Sequence, residues 1–372
     1  MRLLFIDGSE LDYGLDDIDQ KPLGGSQSAF IQACHGLAAR GHAVTAAGSA
    51  YPHGRPSRGV AQVALGPALG AADRDPDRIV VLNAAVPVGR LRARFGARPI
   101  VVWMQNDAAS ATATPFADPA ARAAVDRWIF VSEWQRTRFA ETLGVPPAAA
   151  VVVPNPIAAP FLDLCPPDAP ILAGRDPDRL VYLSAPNRGL GAFRALWPLL
   201  RHRRPALRLD VYSGFLLDQG AAFAPEQTAR IEALLADLAS MPGIAVHRGL
   251  DKPALAARLR AAAMVCYPAT FRETSCIAVL EAMAAGCLAS VAVIGALEET
   301  TAGFAALTPV EGGTLDLVAF ARASLRRLAW RDRDPAAVEA MLRRQVDHVR
   351  ALHGPEAFVE RIEAALQAPF VR

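Results

Sequence analysis

The sequence predicts an α/β protein with two doubly wound, mostly parallel sheets. Short runs rich in Val and Ile, which are typical of buried strands, alternate along the chain with longer amphipathic segments that are typical of helices. Such alternation indicates parallel sheets covered by helices. A length of 372 residues suits two domains, each large enough to bury its own core.

Composition and charge exclude several classes of protein. Hydrophobic residues make up 52% of the chain and the formal net charge is +2, which indicates neither a nucleic-acid binder nor an acidic tail. The five cysteines lack CxxC spacing, and their odd number argues for a reducing compartment. No apolar run approaches the roughly 20 residues that span a bilayer. We therefore expect a cytoplasmic protein, with at most peripheral contact with the inner face of a membrane.

Strand, turn, helix and strand follow one another at the start of the chain. A strand is predicted over residues 2–6, and an amphipathic helix after a Gly-Gly pair leads to a second strand over 43–47. A polar loop over residues 7–22 separates the first strand from the glycines. Further strands are predicted over 79–82, 100–103 and 128–131. After Ser9, the acidic side chains of this loop are Glu10, Asp12, Asp16, Asp17 and Asp19.

The Gly-Gly turn has two interpretations. A dinucleotide-binding enzyme would carry G-x-G-x-x-G here, and this turn lacks the third glycine and the spacing, which argues against a nicotinamide dehydrogenase. Gly24 and Gly25, followed by Ser26, let the backbone approach a phosphate or a sugar closely. A plain tight turn explains the same residues.

Polar residues also stand at the ends of two later strands. Gln105 and Asn106 follow the strand over 100–103, at the carboxyl end, where doubly wound sheets hold ligands. Ser132 follows the strand over 128–131 and is typical of a helix N-cap.

The second half of the chain repeats the alternation. A proline-rich stretch, residues 158–178, is interpreted as the linker before it. The turn after the first strand of this half carries Asn187 and Arg188. An arginine in a turn is commonly solvated, but this one follows the carboxyl end of a strand, where ligands bind. The predicted elements are strands over 180–183, 207–212 and 244–247 and helices over 224–239 and 254–263.

One βαβ unit late in this half carries two carboxylates. Its strands are predicted over 263–267 and 287–294 and its helix over 275–285. Glu273 precedes the helix and Glu281 lies about two turns inside it, so the two heads are expected on the order of 10 Å apart. Either side chain alone is commonly a solvated surface residue. Glu281, however, has only apolar neighbours on its helix, and a carboxylate there needs a bonding partner, which the hydroxyls of a ligand would supply.

The start of this helix is a candidate anion site. Ser275 is the predicted N-cap, and Gly286 is the predicted left-handed residue after the helix end. The backbone amides of Thr274, Ser275 and Cys276 are expected to point at whatever lies over the helix start, where the helix dipole favours negative charge.

The stretch ETSCIAVLE, from Glu273 to Glu281, followed by AMAAG, resembles the E-x7-E signature of family 4 retaining glycosyltransferases. Other segments are similar to the same family. They are the Gly-Gly loop and the R-G-H that ends its helix, S-E-W-Q from Ser132, V-P-N over 153–155, and a G-x-x-E turn from Gly295.

The resemblance implies the GT-B fold, in which two Rossmann-like domains face each other across a cleft. The expected domains are 1–160, on the acceptor side, 161–350, which binds the nucleotide sugar, and 351–372, a last helix that returns to the first domain. Glu273 is then expected to contact the transferred sugar, Glu281 the ribose of the nucleotide, and Arg188 the diphosphate. The other donor-binding residues implied are Thr274, Ser275, Cys276, Asn187, Gly25 and Ser26.

The chain departs from the family at three positions. Ala185 stands where the family carries a first basic residue for the diphosphate, so the helix amides, Arg248 or Lys252 would have to assist Arg188. Gln105 or Asn106 replaces a histidine that contacts the donor sugar, and Pro156 follows the asparagine of V-P-N instead of glycine.

The implied activity is transfer of a sugar, with retention of configuration, from a nucleotide diphosphate sugar to a glycan, lipid or small-molecule acceptor. The acceptor attacks from the face that the phosphate leaves, and the phosphate takes its proton. No cofactor is expected, and no metal, because neither a His/Cys cluster with ligand spacing nor an Asp-x-Asp directly after a predicted strand occurs. A nucleotide-sugar epimerase or a phosphorylase would need a basic, histidine-bearing site. The alternative is a degenerate protein of the same fold that binds sugar nucleotides, or acts as a scaffold, without transferase activity.

Overall fold

Parallel strands form the centre of both halves of the protein. The computed structural model describes residues 1–9, 11–49, 51, 55–66, 75–83, 86–213 and 224–370. The chain divides into two compact units. Unit 1 comprises Met1–Ile18, Gly24–Pro156 and Pro355–Arg372, and unit 2 comprises Asp19–Leu23 and Ile157–Gly354.

Unit 1 contains a seven-stranded sheet in the order β3-β2-β1-β4-β5-β6-β7, with every neighbouring pair parallel. The strands are β1 (Arg2–Asp7), β2 (Ala43–Gly48), β3 (Ala61–Ala64), β4 (Arg78–Leu82), β5 (Ile100–Trp103), β6 (Arg127–Phe130) and β7 (Ala150–Val152). The helices are α1 (Gly25–Ala39), α2 (Val88–Phe95), α3 (Pro119–Ala123) and α4 (Glu133–Leu143). Strands β5 and β6 are buried along their whole length, which explains their unbroken apolar character.

Unit 2 repeats the plan with a sheet in the order β10-β9-β8-β11-β12-β13-β14, in which only β14 runs antiparallel to its neighbour. The strands are β8 (Arg179–Tyr182), β9 (Arg208–Tyr212), β10 (Ile244–His247), β11 (Met264–Tyr267), β12 (Leu288–Val293), β13 (Ala306–Glu311) and β14 (Thr314–Leu315). The helices are α5 (Phe193–Arg203), α6 (Pro225–Ser240), α7 (Lys252–Ala261), α8 (Ile277–Ala284), α9 (Leu297–Thr301), α10 (Leu317–Arg333) and α11 (Pro335–His353).

The last helix, α12 (Pro355–Gln367), belongs to unit 1 and packs on α1. Gly36 permits this contact, because a Cβ atom at that position would lie 2.1 Å from the Val359 side chain. Arg127, at the start of β6, donates hydrogen bonds to the carbonyl groups of Ala365, Ala368 and Pro369. The end of α12 is thereby attached to the sheet of unit 1.

Two expectations about local structure need correction, and one residue named in the sequence analysis lies outside the described ranges. The stretch 158–178 is not an open linker, because Phe161, Cys165 and Ile171 are buried in the core of unit 2. The N-cap of α8 is Cys276, so the prediction of Ser275 was wrong, whereas Gly286 has the expected positive φ of 78°. Glu10, in the acidic loop, lies outside the described residues.

Candidate active site

The chain reverses its direction of winding between β8 and β11, which are neighbours in the sheet of unit 2. At such a switch point the turns after the two strands diverge and leave a crevice at the carboxyl edge of the sheet, where open α/β sheets bind ligands. Arg188 follows β8 and Glu273 follows β11. The topology therefore places these two predicted residues on the two sides of one crevice.

The backbone of Glu273 is fixed to the turn after β12. Glu273 forms a parallel β-bridge with Gly295, and the Ala296 amide donates a hydrogen bond of 2.6 Å to the Glu273 carbonyl oxygen. Gly295 has a φ of 67°, and a Cβ atom there would lie 2.2 Å from the Glu273 carbonyl oxygen. Only glycine allows so close an approach, so the position of Glu273 depends on this residue.

The Glu273 carboxylate forms an ion pair with Arg188. One guanidinium nitrogen, Nη1, lies 3.0 Å from each carboxylate oxygen, and the guanidinium stacks 3.7 Å from the centre of the Phe271 ring. Gly189 lets the Arg188 turn approach β11, because it has a φ of 109° and a Cβ atom there would lie 2.2 Å from the Pro268 carbonyl oxygen. Within the described residues, Nε and Nη2 of Arg188 have no acceptor, which leaves three N–H groups for a ligand.

Tyr267 holds the same carboxylate from inside the sheet. Its hydroxyl group donates a hydrogen bond of 2.6 Å to Glu273 Oε1, and its ring stacks on Tyr182. Burial raises the pKa of Tyr267 well above its ordinary value, and the nearby Cys276 and Glu273 raise it further, so the hydroxyl stays protonated and donates. Burial lowers the pKa of Arg188, but the opposing effect of Glu273 leaves that pKa above its ordinary value, so the guanidinium stays charged.

Glu281 lies in α8 and is paired with Lys252, which the sequence indicated only as a cation that would assist Arg188 at the diphosphate. The ammonium group of Lys252, at the start of α7, lies 2.8 Å from both Glu281 oxygens. The Glu281 side chain is 2% exposed and that of Lys252 is 9% exposed. The protein therefore supplies one bonding partner of Glu281 itself, and the contact of Glu281 with a ribose stays a prediction. No motif in the sequence pairs Lys252 with Glu281.

The other predicted donor-binding residues of unit 2 lie in two places: Thr274, Ser275 and Cys276 precede α8, and Asn187 precedes Arg188. Thr274 and Cys276 are buried, and burial raises the pKa of the Cys276 thiol well above its ordinary value, so it is neutral. Asn187 lies in a short 3-10 helix, Pro186–Arg188, with its side chain exposed and without a hydrogen bond to any described residue.

The predicted residues of unit 1 have structural roles that the sequence partly revealed. Gly25 is the first residue of α1 and Ser26 the second, both half-buried. The side chain of Gln105, which stands in place of the family histidine, exchanges two hydrogen bonds, 2.8 and 2.9 Å long, with the buried Asn155. Ser132 is the N-cap of α4, as predicted, and accepts a hydrogen bond from the Gln135 amide.

No family model matches the sequence, and no curated protein is significantly similar to it. Solved structures are similar to it over the whole chain. Sucrose-phosphate synthase from Thermosynechococcus elongatus matches with a TM-score of 0.74 and 18% identity, covering 98% of each chain. HepE from Anabaena, solved in complex with UDP and glucose, matches with a TM-score of 0.70 and 15% identity, covering 98% of this chain and 99% of HepE. The α,α-trehalose-phosphate synthase (UDP-forming) from Burkholderia vietnamiensis matches with a TM-score of 0.71 and 13% identity, covering 98% of each chain.

The chain has the GT-B fold. In this GT-B protein, Arg188, Glu273, Lys252 and Glu281 all belong to unit 2. Among the described residues, His, Cys, Asp and Glu side chains form no group of three or more that could hold a metal ion. None of the helices in the described ranges has the length and apolar content needed to cross a membrane.

Proposed function

We propose that this protein is a retaining glycosyltransferase that moves a sugar from a nucleotide diphosphate sugar to an acceptor. The observation that carries the proposal is the arrangement of Arg188, whose Nη1 holds Glu273 while three further N–H groups remain available at the carboxyl edge of the sheet. An arginine fixed in this way can donate hydrogen bonds to a phosphate without losing its contact with the Glu273 carboxylate. The solved complex of a protein with this fold with UDP and glucose supports the choice of donor.

The chemistry follows from where charge develops. As the bond between sugar and phosphate breaks, the sugar becomes positive and the departing phosphate gains negative charge. Arg188 and the amides before α8 stabilise the phosphate, and Glu273 orients the hydroxyl groups of the sugar near the positive centre. Because Tyr267 and Arg188 fix Glu273 before the donor arrives, little reorganisation is needed in the transition state.

The proposal includes front-face attack, in which the leaving phosphate takes the proton of the acceptor. It assigns stabilisation of the phosphate to Arg188 and to the helix start, without a metal ion. Glu281 contacts the ribose of the nucleotide. The acceptor is a glycan, a lipid or a small molecule, and the protein acts in the cytoplasm.

The test is release of nucleoside diphosphate from a panel of UDP-, GDP- and ADP-sugars. The Glu273→Gln variant is expected to lower turnover by about 10²-fold or more, because it removes the negative charge beside the positive centre. Glu281→Gln is expected to weaken nucleotide affinity by about tenfold with a smaller effect on turnover. Glu232→Gln, which removes an exposed carboxylate on α6, is the matched control.

Two results would contradict the proposal. If the wild-type protein binds a sugar nucleotide but releases no nucleoside diphosphate with any acceptor tried, the binding-protein alternative is favoured. If Glu273→Gln and Glu281→Gln reduce turnover and affinity to the same extent, the assigned division of roles is incorrect.

A further inference from the structure

Lys252 and Glu281 form a buried ion pair between two helices that begin at the same edge of the unit 2 sheet. Lys252 is the first residue of α7, which follows β10, and Glu281 lies in the second turn of α8, which follows β11. The ammonium nitrogen is 2.8 Å from each carboxylate oxygen. The pair thus joins two elements whose residues are 29 positions apart in the sequence.

The location of the pair is energetically unfavourable on two counts. Both side chains lose their hydration, since they are 9% and 2% exposed, and a buried ion pair commonly contributes less stability than apolar residues of the same volume. The ammonium group also lies at a helix N-terminus, where the partial positive charge of the helix repels a cation. Stability of the fold alone therefore does not account for a charged pair at this position.

The chain rarely uses lysine. Lys21 and Lys252 are the only lysines among 39 basic residues, so this position departs from the general use of arginine. An ammonium group is compact and has three donors, whereas a guanidinium group is planar and larger. The buried space beside Glu281 thus holds the smaller of the two cations.

The pair retains hydrogen-bonding capacity. Two of the three ammonium N–H groups are directed at Glu281, and the described residues offer no acceptor to the third. Each carboxylate oxygen has two acceptor positions, and Lys252 occupies one on each. Glu281 can therefore remain bound to Lys252 and still accept hydrogen bonds from two neighbouring hydroxyl groups.

We propose that Lys252 is a positioning residue that fixes the orientation of the Glu281 carboxylate, so that this carboxylate accepts hydrogen bonds from both hydroxyl groups of a ribose. The inference rests on the proposed function, which places a nucleotide at this site. It adds Lys252 as the group that makes Glu281 selective for a ribose. A carboxylate held in this way bonds a cis-diol with both oxygens, whereas a 2′-deoxyribose offers one hydroxyl group fewer. The site is thereby selective for ribonucleotides.

The experiment measures by calorimetry the affinities of the protein for UDP, GDP and ADP and for their 2′-deoxy counterparts. For the base that binds most tightly, the affinity for the ribonucleotide is divided by the affinity for the deoxynucleotide, which gives the affinity ratio. Wild type is expected to prefer the ribonucleotide about tenfold or more, the effect of one hydrogen bond to a charged group. Lys252→Met is expected to reduce the ratio to about one and to leave the affinity for the deoxynucleotide within about twofold. In the Glu281→Gln background, Lys252→Met is expected to change the ratio no further, because Lys252 acts only through Glu281.

The double variant, Lys252→Met with Glu281→Gln, also keeps the test valid if Lys252→Met alone unfolds, since it leaves no unpaired buried charge. Arg230→Met, which removes an exposed cation on α6, is the control and is expected to retain the wild-type ratio.

Three results would overturn the inference. A Lys252→Met variant that melts earlier yet keeps the wild-type ratio would show a purely structural role. If Lys252→Met weakens the affinities for the ribonucleotide and the deoxynucleotide equally, Lys252 contacts the phosphates directly. If Lys252→Met lowers the affinity ratio further in the Glu281→Gln background, Lys252 does not act through Glu281. The proposed function fails separately, if wild type binds none of the nucleoside diphosphates, and the role of Lys252 then fails with it.

Discussion

Replacing Gly295 by alanine tests whether the backbone of Glu273 must be held in place. The added Cβ atom would lie 2.2 Å from the carbonyl oxygen and 2.6 Å from the amide nitrogen of Glu273. Carbon and its non-bonded neighbours usually stay about 3.5 Å apart, so the two turns must separate by on the order of 1 Å. The Glu273 carboxylate would then move relative to Arg188, in the turn after β8, and relative to Tyr267, the last residue of β11.

Under the proposed function Glu273 is a catalytic group. A displacement of about 1 Å in such a group can lower the rate by about 10²-fold, and this is the loss of turnover expected for Gly295→Ala. The measurement is release of nucleoside diphosphate at saturating donor, together with nucleotide affinity, which is expected to change less because Glu281 belongs to a separate contact. Alanine at a positive φ also costs about 1 kcal/mol of stability or somewhat more.

Gly303→Ala is the matched control for that backbone strain. Gly303 has a φ of 80°, and a Cβ atom there would meet nothing within 4 Å. The Gly303→Ala variant should therefore lose stability without losing turnover. If Gly295→Ala and Gly303→Ala retain equal turnover, the contact between Gly295 and Glu273 has no role in positioning the acid and the reasoning is refuted.

Two further predictions follow from the hydrogen bonds of Tyr267 and Glu363. Tyr267→Phe removes a donor to the charged Glu273, so turnover should fall by about tenfold while nucleotide affinity stays constant; an unchanged turnover would contradict this. His42 lowers the pKa of Glu363 through a hydrogen bond, and Arg40 lowers it further by its charge. A carboxyl group whose pKa is lowered in the folded state stabilises the fold at pH values above its unfolded-state pKa of about 4.3. This contribution to stability is lost as the pH falls through the lower, folded-state pKa. Glu363→Gln should therefore lose less stability than wild type in urea titrations between about pH 5 and pH 3, and equal losses would contradict the assignment.

The sheets could be predicted from the sequence because burial on both faces leaves a local signal. Strands such as β5 and β11 are continuous apolar runs, and their predicted bounds are within one residue of the observed ones. Strand β14, of two residues, lacks such a signal. The predicted N-cap of α8 was wrong by one residue. Ser275 is the usual capping type, but the N-cap is Cys276, and no side chain caps the helix.

The partners of the predicted acids could not be read from the sequence. Arg188 and Glu273 are 85 positions apart, and only the neighbouring positions of β8 and β11 in the sheet bring them together. Lys252 lacks a motif around it, and Tyr267 looks like any core residue of a strand. Family resemblance identified which acids to examine, whereas the identity of the groups that hold them depends on tertiary packing.

Under the proposed function, the two ion pairs help to explain why this chain has Ala185 where the family carries a basic residue for the diphosphate. Two carboxylates at the edge of the sheet would repel a diphosphate if they were unpaired, and the effect would be strong where water is excluded. Arg188 and Lys252 each balance one acid, so the four charged groups are neutral together. The negative charge of the diphosphate is then stabilised by the remaining N–H groups of Arg188 and by the amides at the start of α8. A second basic residue in the Arg188 turn is less necessary in such a site, because the acids that it would otherwise have to offset are already paired.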